Sequence, residues 1–184
     1  MHLSSPLVLL SVAALLAGCG TDPTRQNDTG APGFAEGGSG PSASGHVEHD
    51  IEGCCLEKYS FNAHYLGDLS VHGTFNVRDF FTEGSEKAFA KGRVTCFTVE
   101  ADGKTARMGG VVESSSYPIV GTEAIWTVRD NGEGQDEPRD QASDLLFGFP
   151  PQFNFAQRHC TTGFPPGFFS VFREPARGNV QVRP

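Results

Sequence analysis

From Lys58 onward the apolar side chains recur at every second position. Tyr59, Phe61, Ala63 and Tyr65 alternate with Ser60, Asn62 and His64, and Val71, Gly73, Phe75 and Val77 repeat the pattern. A period of two places successive side chains on opposite faces of a strand, so each stretch has one face to bury and one to wet. Gly92 to Val99 and Thr105 to Val112 form the next pair. Asp102-Gly103 lies between them, a strong two-strand turn signal. Ile119 to Val128 is a further β-branched run, ending in the turn residues Asp130-Asn131-Gly132. Leu145 to Phe149 and Gly178 to Val182 read as later strands. Short strands with frequent turns predict an all-β fold, an antiparallel barrel or sandwich of about eight strands. At most one short helix is expected, around Glu83–Lys91.

Several of these strings, taken in order, resemble a recurrent β domain of secreted bacterial proteins with no assigned activity. They are Gly92-x-Val94-Thr95-Cys96-x-x-Val99, Ala106, Gly109-Gly110-Val111, Val128-x-Asp130-Asn131-Gly132-Glu133 and Gly178-Asn179-Val180-x-Val182. The resemblance spans about residues 58–184. It implies an extracytoplasmic all-β fold and transfers no catalytic residue.

The N-terminus supplies an address. Leu7 to Leu16 is apolar except for Ser11. Crossing a bilayer core takes about 20 helical residues, so a run of about ten suits the apolar region of a cleaved signal peptide. Leu16-Ala17-Gly18-Cys19 resembles the lipobox of bacterial lipoproteins, although Met1 to Pro6 carries no Lys or Arg. The resemblance implies acylation of Cys19 and cleavage just before it. With Gly20 rather than Asp after the cysteine, it does not imply inner-membrane retention.

Residues 20–45 are dominated by Gly, Pro, Ser, Thr, Asp and Asn, with Phe34 the sole large apolar residue. Such a segment buries too little to offset its chain entropy. The expected organisation is therefore a signal peptide at 1–18, a lipidated cysteine and disordered tether at 19–53, and a β domain at 54–184. About 130 residues suffice for one self-sufficient core. The net charge of −8 argues against nucleic acid and against electrostatic docking on anionic lipid. Membrane attachment would then rest on the lipid alone.

Four cysteines remain. An exported domain meets oxidants, so an even number reads as disulfides. Cys96 in a strand and Cys160 in a late loop are the favoured pair. Cys54 and Cys55 are unassigned: a vicinal bridge, two thiols, or a bridge to another chain.

Two constellations carry metal-ligand chemistry. His46, His49, Asp50, Glu52, Cys54 and Cys55 combine imidazole and thiol, which suit zinc or copper, but their spacing matches no known finger. A polar linker is the plainer account. Asp130, Glu133, Asp136, Glu137, Asp140 and Asp144 crowd one loop. Asp130, Glu133, Asp136 and Asp140 are the candidate calcium ligands, against a plainer solvated acidic loop partly neutralised by Arg129 and Arg139. Eight phenylalanines lie between Phe147 and Phe172, and Phe-Pro-Pro begins at Phe149 and at Phe164. Proline blocks sheet pairing, so these stretches are expected to plug a barrel end rather than to form an aromatic ligand platform. Trp126 is expected in the core.

Catalytic signatures are absent. His64 and His72, with Asp68, Asp79 and the hydroxyls of Ser114 to Ser116, are the residues from which a hydrolase site would have to be drawn. The leading expectation is a membrane-anchored envelope lipoprotein with a non-enzymatic binding or structural role. It needs no cofactor, and its partner beyond the membrane would be an envelope polymer or protein. A calcium- or carbohydrate-assisted adhesion module and an envelope polymer hydrolase are the alternatives.

Overall fold

The computed structural model describes residues 40–51, 55–81, 84–133, 138–164, 172–175 and 177–184. Strands β1 (Ser42–Ile51), β2 (Cys55–Tyr65), β3 (Val71–Phe80), β4 (Glu86–Val99), β5 (Thr105–Ser115) and β6 (Glu123–Arg129) follow one another as an antiparallel meander. The two-residue β7 (Gln141–Ala142) and the short β8 (Leu146–Phe149) both pair with β6. The last strand, β9 (Arg177–Arg183), returns to pair with β1 and also touches β6. The result is a nearly closed antiparallel barrel with one short helix, α1 (Phe155–Thr162).

The alternation read from the sequence is the alternation of burial. Tyr59, Phe61 and Ala63 on β2 and Phe75 and Val77 on β3 point into the barrel, where they meet Val94, Phe97, Met108, Trp126 and Val128. Large rings fit because glycines face them. A Cβ on Gly92 would lie 2.7 Å from the Phe75 ring, and one on Gly45 would lie 2.8 Å from the Phe61 ring. Interiors of small barrels are commonly filled by such large-against-small pairing. Trp126 is 1% exposed and packs against both Phe61 and Phe75.

On the outside, α1 covers β4, β5 and β6. Six consecutive residues of β6, Glu123 to Val128, are therefore buried, alternately by the interior and by the helix. The Cys96–Cys160 disulfide pins α1 to β4 over a small second core of Cys96, Ile125, Ala156 and Cys160.

Four assignments differ from expectation. Residues 42–51, expected in the tether, form β1: Ala43, Val47 and His49 alternate inward, with small or polar residues between them. Where a helix is expected around Glu83–Lys91, Glu86 to Lys91 instead open β4, whose inward Ala88 and Ala90 pair beside Asp79 and Val77 of β3, and Glu83 lies outside the described residues. Here tertiary pairing overrides the helix preference of Glu, Lys and Ala. The helix that does form carries Cys160, which was expected in a loop. The sixth strand starts at Glu123 rather than Ile119, because the Thr122 amide and hydroxyl both bond the Ile119 carbonyl and close a turn.

The described residues of the Phe-rich segment divide between the two cores. Phe147 packs on the main core, whereas Phe149 and Phe164 pack against the second core outside the sheet. Phe153 and Phe172 are exposed, and Phe168 and Phe169 lie outside the described residues.

Candidate functional site

The inward face of three adjacent strands changes character at one end of the barrel. On β1 the inward series runs Ala43, Gly45, Val47 and then His49. On β2, read in reverse, it runs Phe61, Tyr59 and then Glu57. On β3 it runs Phe75, Val77 and then Asp79. The register places His49 opposite Glu57 and Glu57 opposite Asp79. Three titratable side chains thus form one row on the inner wall, one layer beyond the apolar row of Val47, Tyr59 and Val77.

The segment after β7 reaches this layer. Ser143 is held on β6 by its amide on the Thr127 carbonyl (2.9 Å) and by its hydroxyl, which accepts from the Thr127 amide (3.0 Å). From the other side the Tyr59 hydroxyl donates to the Ser143 carbonyl (2.7 Å), and the Leu145 amide donates to Glu57 Oε1 (3.3 Å). So stitched between β6 and β2, the segment brings Asp144 against His49, with Nδ1 and Oδ1 3.3 Å apart. The second Asp144 oxygen takes Arg173 at 2.6 Å. Arg173 is aimed there by a two-way backbone bridge with Ala142.

His49, Glu57 and Asp144 each offer a ligand atom, all within 4.8 Å of one another. His49 is 1% exposed, and neither ring nitrogen has a hydrogen-bond partner among the described residues. Asp144 Oδ1 has none either. Burial pushes the Glu57 carboxyl up to about 8, although the Leu145 amide opposes the shift. Burial also raises the half-buried Asp79 and lifts the Tyr59 hydroxyl well above its ordinary range. Buried groups with perturbed acidity and unmet bonding capacity mark this layer as the candidate site.

The other expected constellations separate. His46 and Asp50 are exposed on the face of β1 opposite to His49, so the strand period divides the His-rich cluster. Glu52 and Cys54 lie outside the described residues, and Cys55 is disulfide-bonded. Asp130 and Asp140 turn their oxygens to backbone amides of β9 and of their own loop, and Glu133 accepts from Asn179. Asp136 and Glu137 lie outside the described residues.

His64 and His72 stack across β2 and β3 on the outer surface. Ser70 stands between His72 Nε2 (3.1 Å) and Asp68 Oδ1 (2.5 Å). A nucleophilic triad needs histidine in the middle, taking the serine proton; here the Ser70 proton goes to the carboxylate instead. Ser115 and Ser116 bond the Phe89 backbone, across the β4–β5 pair, away from both histidines.

Neither Glu57 nor the pairing of Asp144 with His49 was identified from sequence. The available signal was Glu57 itself, a charge two residues before Tyr59 and so on the apolar face of the same strand.

No protein-family model, curated protein or solved structure matches the chain.

Proposed function

We propose that the chain is a lipid-anchored, extracytoplasmic envelope protein whose β-barrel has a non-enzymatic binding or structural role. The observation that carries this reading is the Cys96–Cys160 disulfide. Such a bond persists in oxidising compartments. It stands in a chain whose Leu16-Ala17-Gly18-Cys19 string resembles a lipobox. A third cysteine, Cys55, is also disulfide-bonded.

The non-enzymatic role is supported by how the interior is used. Trp126, Tyr59, Phe75, Phe97 and Met108 fill it with fully buried side chains. On the outer face the Asp68–Ser70–His72 arrangement has the wrong order for hydrolysis.

The test is fractionation of cells expressing the full chain, with mass spectrometry of the N-terminal peptide. The expected result is membrane association, an acylated Cys19 at the new N-terminus, and release of the Cys19→Ala variant. Membrane association of Cys19→Ala equal to that of the parent would overturn the anchoring.

A further inference from the structure

We infer that His49, Glu57 and Asp144 form a binding site for one divalent transition-metal ion of the zinc class. The inference goes beyond the anchoring reading and does not depend on it. Three observations carry it. First, the ligand atoms converge from three separate elements, β1, β2 and the segment after β7, to within 4.8 Å of one another. The 3.3 Å between His49 Nδ1 and Asp144 Oδ1 matches the ~3.3 Å edge of a tetrahedron with metal–ligand distances of about 2.0–2.1 Å.

Second, His49 is an unpartnered polar side chain in a buried place. It is 1% exposed, and both ring nitrogens lack hydrogen bonds among the described residues. Asp144 Oδ1, facing it, is equally unsatisfied. Buried polar atoms are normally paired. One cation held between His49 Nδ1 and Asp144 Oδ1, which face each other 3.3 Å apart, would satisfy two of these three atoms and leave Nε2 as the imidazole N–H. Asp144 and Glu57 as carboxylates, with neutral His49, would balance the charge of one divalent ion.

Third, the surroundings act as outer support. Arg173 holds the other oxygen of Asp144, and the Leu145 amide holds Glu57 Oε1. Metal-ligating carboxylates are typically oriented by hydrogen bonds of this kind. One imidazole with two carboxylates favours a borderline ion such as Zn²⁺ over Ca²⁺, which prefers six to eight oxygens. Three protein ligands leave a fourth position for water.

The test uses the full chain with its disulfides intact, stripped with chelator and titrated with Zn²⁺, Mn²⁺ and Ca²⁺ alone. One Zn²⁺ per chain is expected, bound at least 100-fold more tightly than Ca²⁺. Asp144→Asn and His49→Gln should each weaken Zn²⁺ binding at least tenfold, while His46→Gln, on the opposite face of β1, should leave it unchanged. Should His49→Gln fail to fold, the visible d–d spectrum of the Co²⁺-loaded parent and its change in Asp144→Asn decide the matter. Absence of stoichiometric Zn²⁺, Ca²⁺ binding as tight as Zn²⁺, or binding untouched by Asp144→Asn would each overturn the site.

Discussion

Asp140 Oδ2 accepts the backbone N–H of Val180 at 2.7 Å, and through that bond an acidic loop closes the barrel. β9 pairs with β1 along one edge, which leaves its other edge with unpaired amides. Asp140 takes the first, and Asp130 Oδ2 takes the Val182 amide at 2.9 Å. Carboxylates thus stand where a ninth ladder would otherwise be needed, and they cover an edge that could template aggregation. The second oxygen of Asp140 accepts the Asn131 amide at 2.9 Å. Asp140→Ala therefore strands two amide donors, one of them on a fully buried residue. The expected loss is roughly 2–6 kcal/mol, at about 1–3 per unsatisfied group. Urea unfolding measures it, and a loss below about 0.5 kcal/mol would contradict closure by Asp140. Asp140→Asn should fall between the two, because one acceptor becomes an N–H₂ group facing an N–H.

His159 ties stability to acidity. Its Nε2 lies 3.1 Å from the Trp126 carbonyl and 3.0 Å from the Thr127 hydroxyl. A carbonyl only accepts, so Nε2 carries the hydrogen and buried Nδ1 is bare. Burial lowers the imidazole to about 4 from its ordinary 6.5, aided by the Arg107 charge and opposed by the Trp126 carbonyl. With a depressed folded value, the full stability is present above about pH 6.5. It is lost as pH falls towards 4, because only the unfolded chain takes up the proton. The maximum loss is about 3 kcal/mol, taking ~1.4 kcal/mol per unit. Urea midpoints at pH 7 and pH 4.5 should fall more steeply for the parent than for His159→Gln. Equal slopes would remove His159 as the acid-sensitive group.

The Cys96–Cys160 bridge spans 64 residues of sequence. In the chain-entropy model a loop of that size restricts the unfolded chain by about 4 kcal/mol. The Cys96→Ala, Cys160→Ala double variant should keep its far-ultraviolet spectrum and lose stability of that order. Hydrogen exchange should rise first in α1, which the bridge fastens. Uniform acceleration across all strands, with α1 no different, would mean that the helix does not depend on the bridge.

The strands were legible where large apolar residues mark one face, as in β2, β3, β5 and β9. β1 was not, because Ser42 to Ile51 alternates Ala, Gly, Val and His with polar residues and has the composition of a linker. β4 begins with Glu86, Lys87, Ala88 and Ala90, which favour helix locally. Only pairing with β3 on one side and β5 on the other makes that stretch a strand. The candidate site was half legible. His49 stood out as a ligand type, but its neighbours in sequence lie on the opposite face. Its neighbours in space come from the register between β1 and β2 and from a segment more than 90 positions away. Neither follows from local pattern. The acidic loop was conspicuous by density, yet density does not reveal that Asp130 and Asp140 are committed to β9 amides.

Gly109 sets how closely α1 approaches the sheet. A Cβ there would lie 2.7 Å from Ala156 Cβ and 2.8 Å from Cys96 Sγ, nearer than real Cβ contacts come. Both neighbours belong to the second core, and the Ala156 carbonyl lies 3.0 Å from Cys96 Sγ. The helix can yield only by lifting from β5, and the disulfide resists that. Gly109→Ala should therefore destabilise by about 1–3 kcal/mol, the usual range for overpacking a filled site. Ala156→Gly removes one of the two obstacles but leaves the sulfur and the helix backbone in place. Combined with Gly109→Ala it should recover part of the loss, beyond the roughly 1 kcal/mol that glycine itself costs within a helix. A double-mutant cycle by thermal unfolding reads this coupling. Strict additivity would show that β5 relaxes away from the new methyl group, and that Gly109 does not set the helix-to-sheet distance.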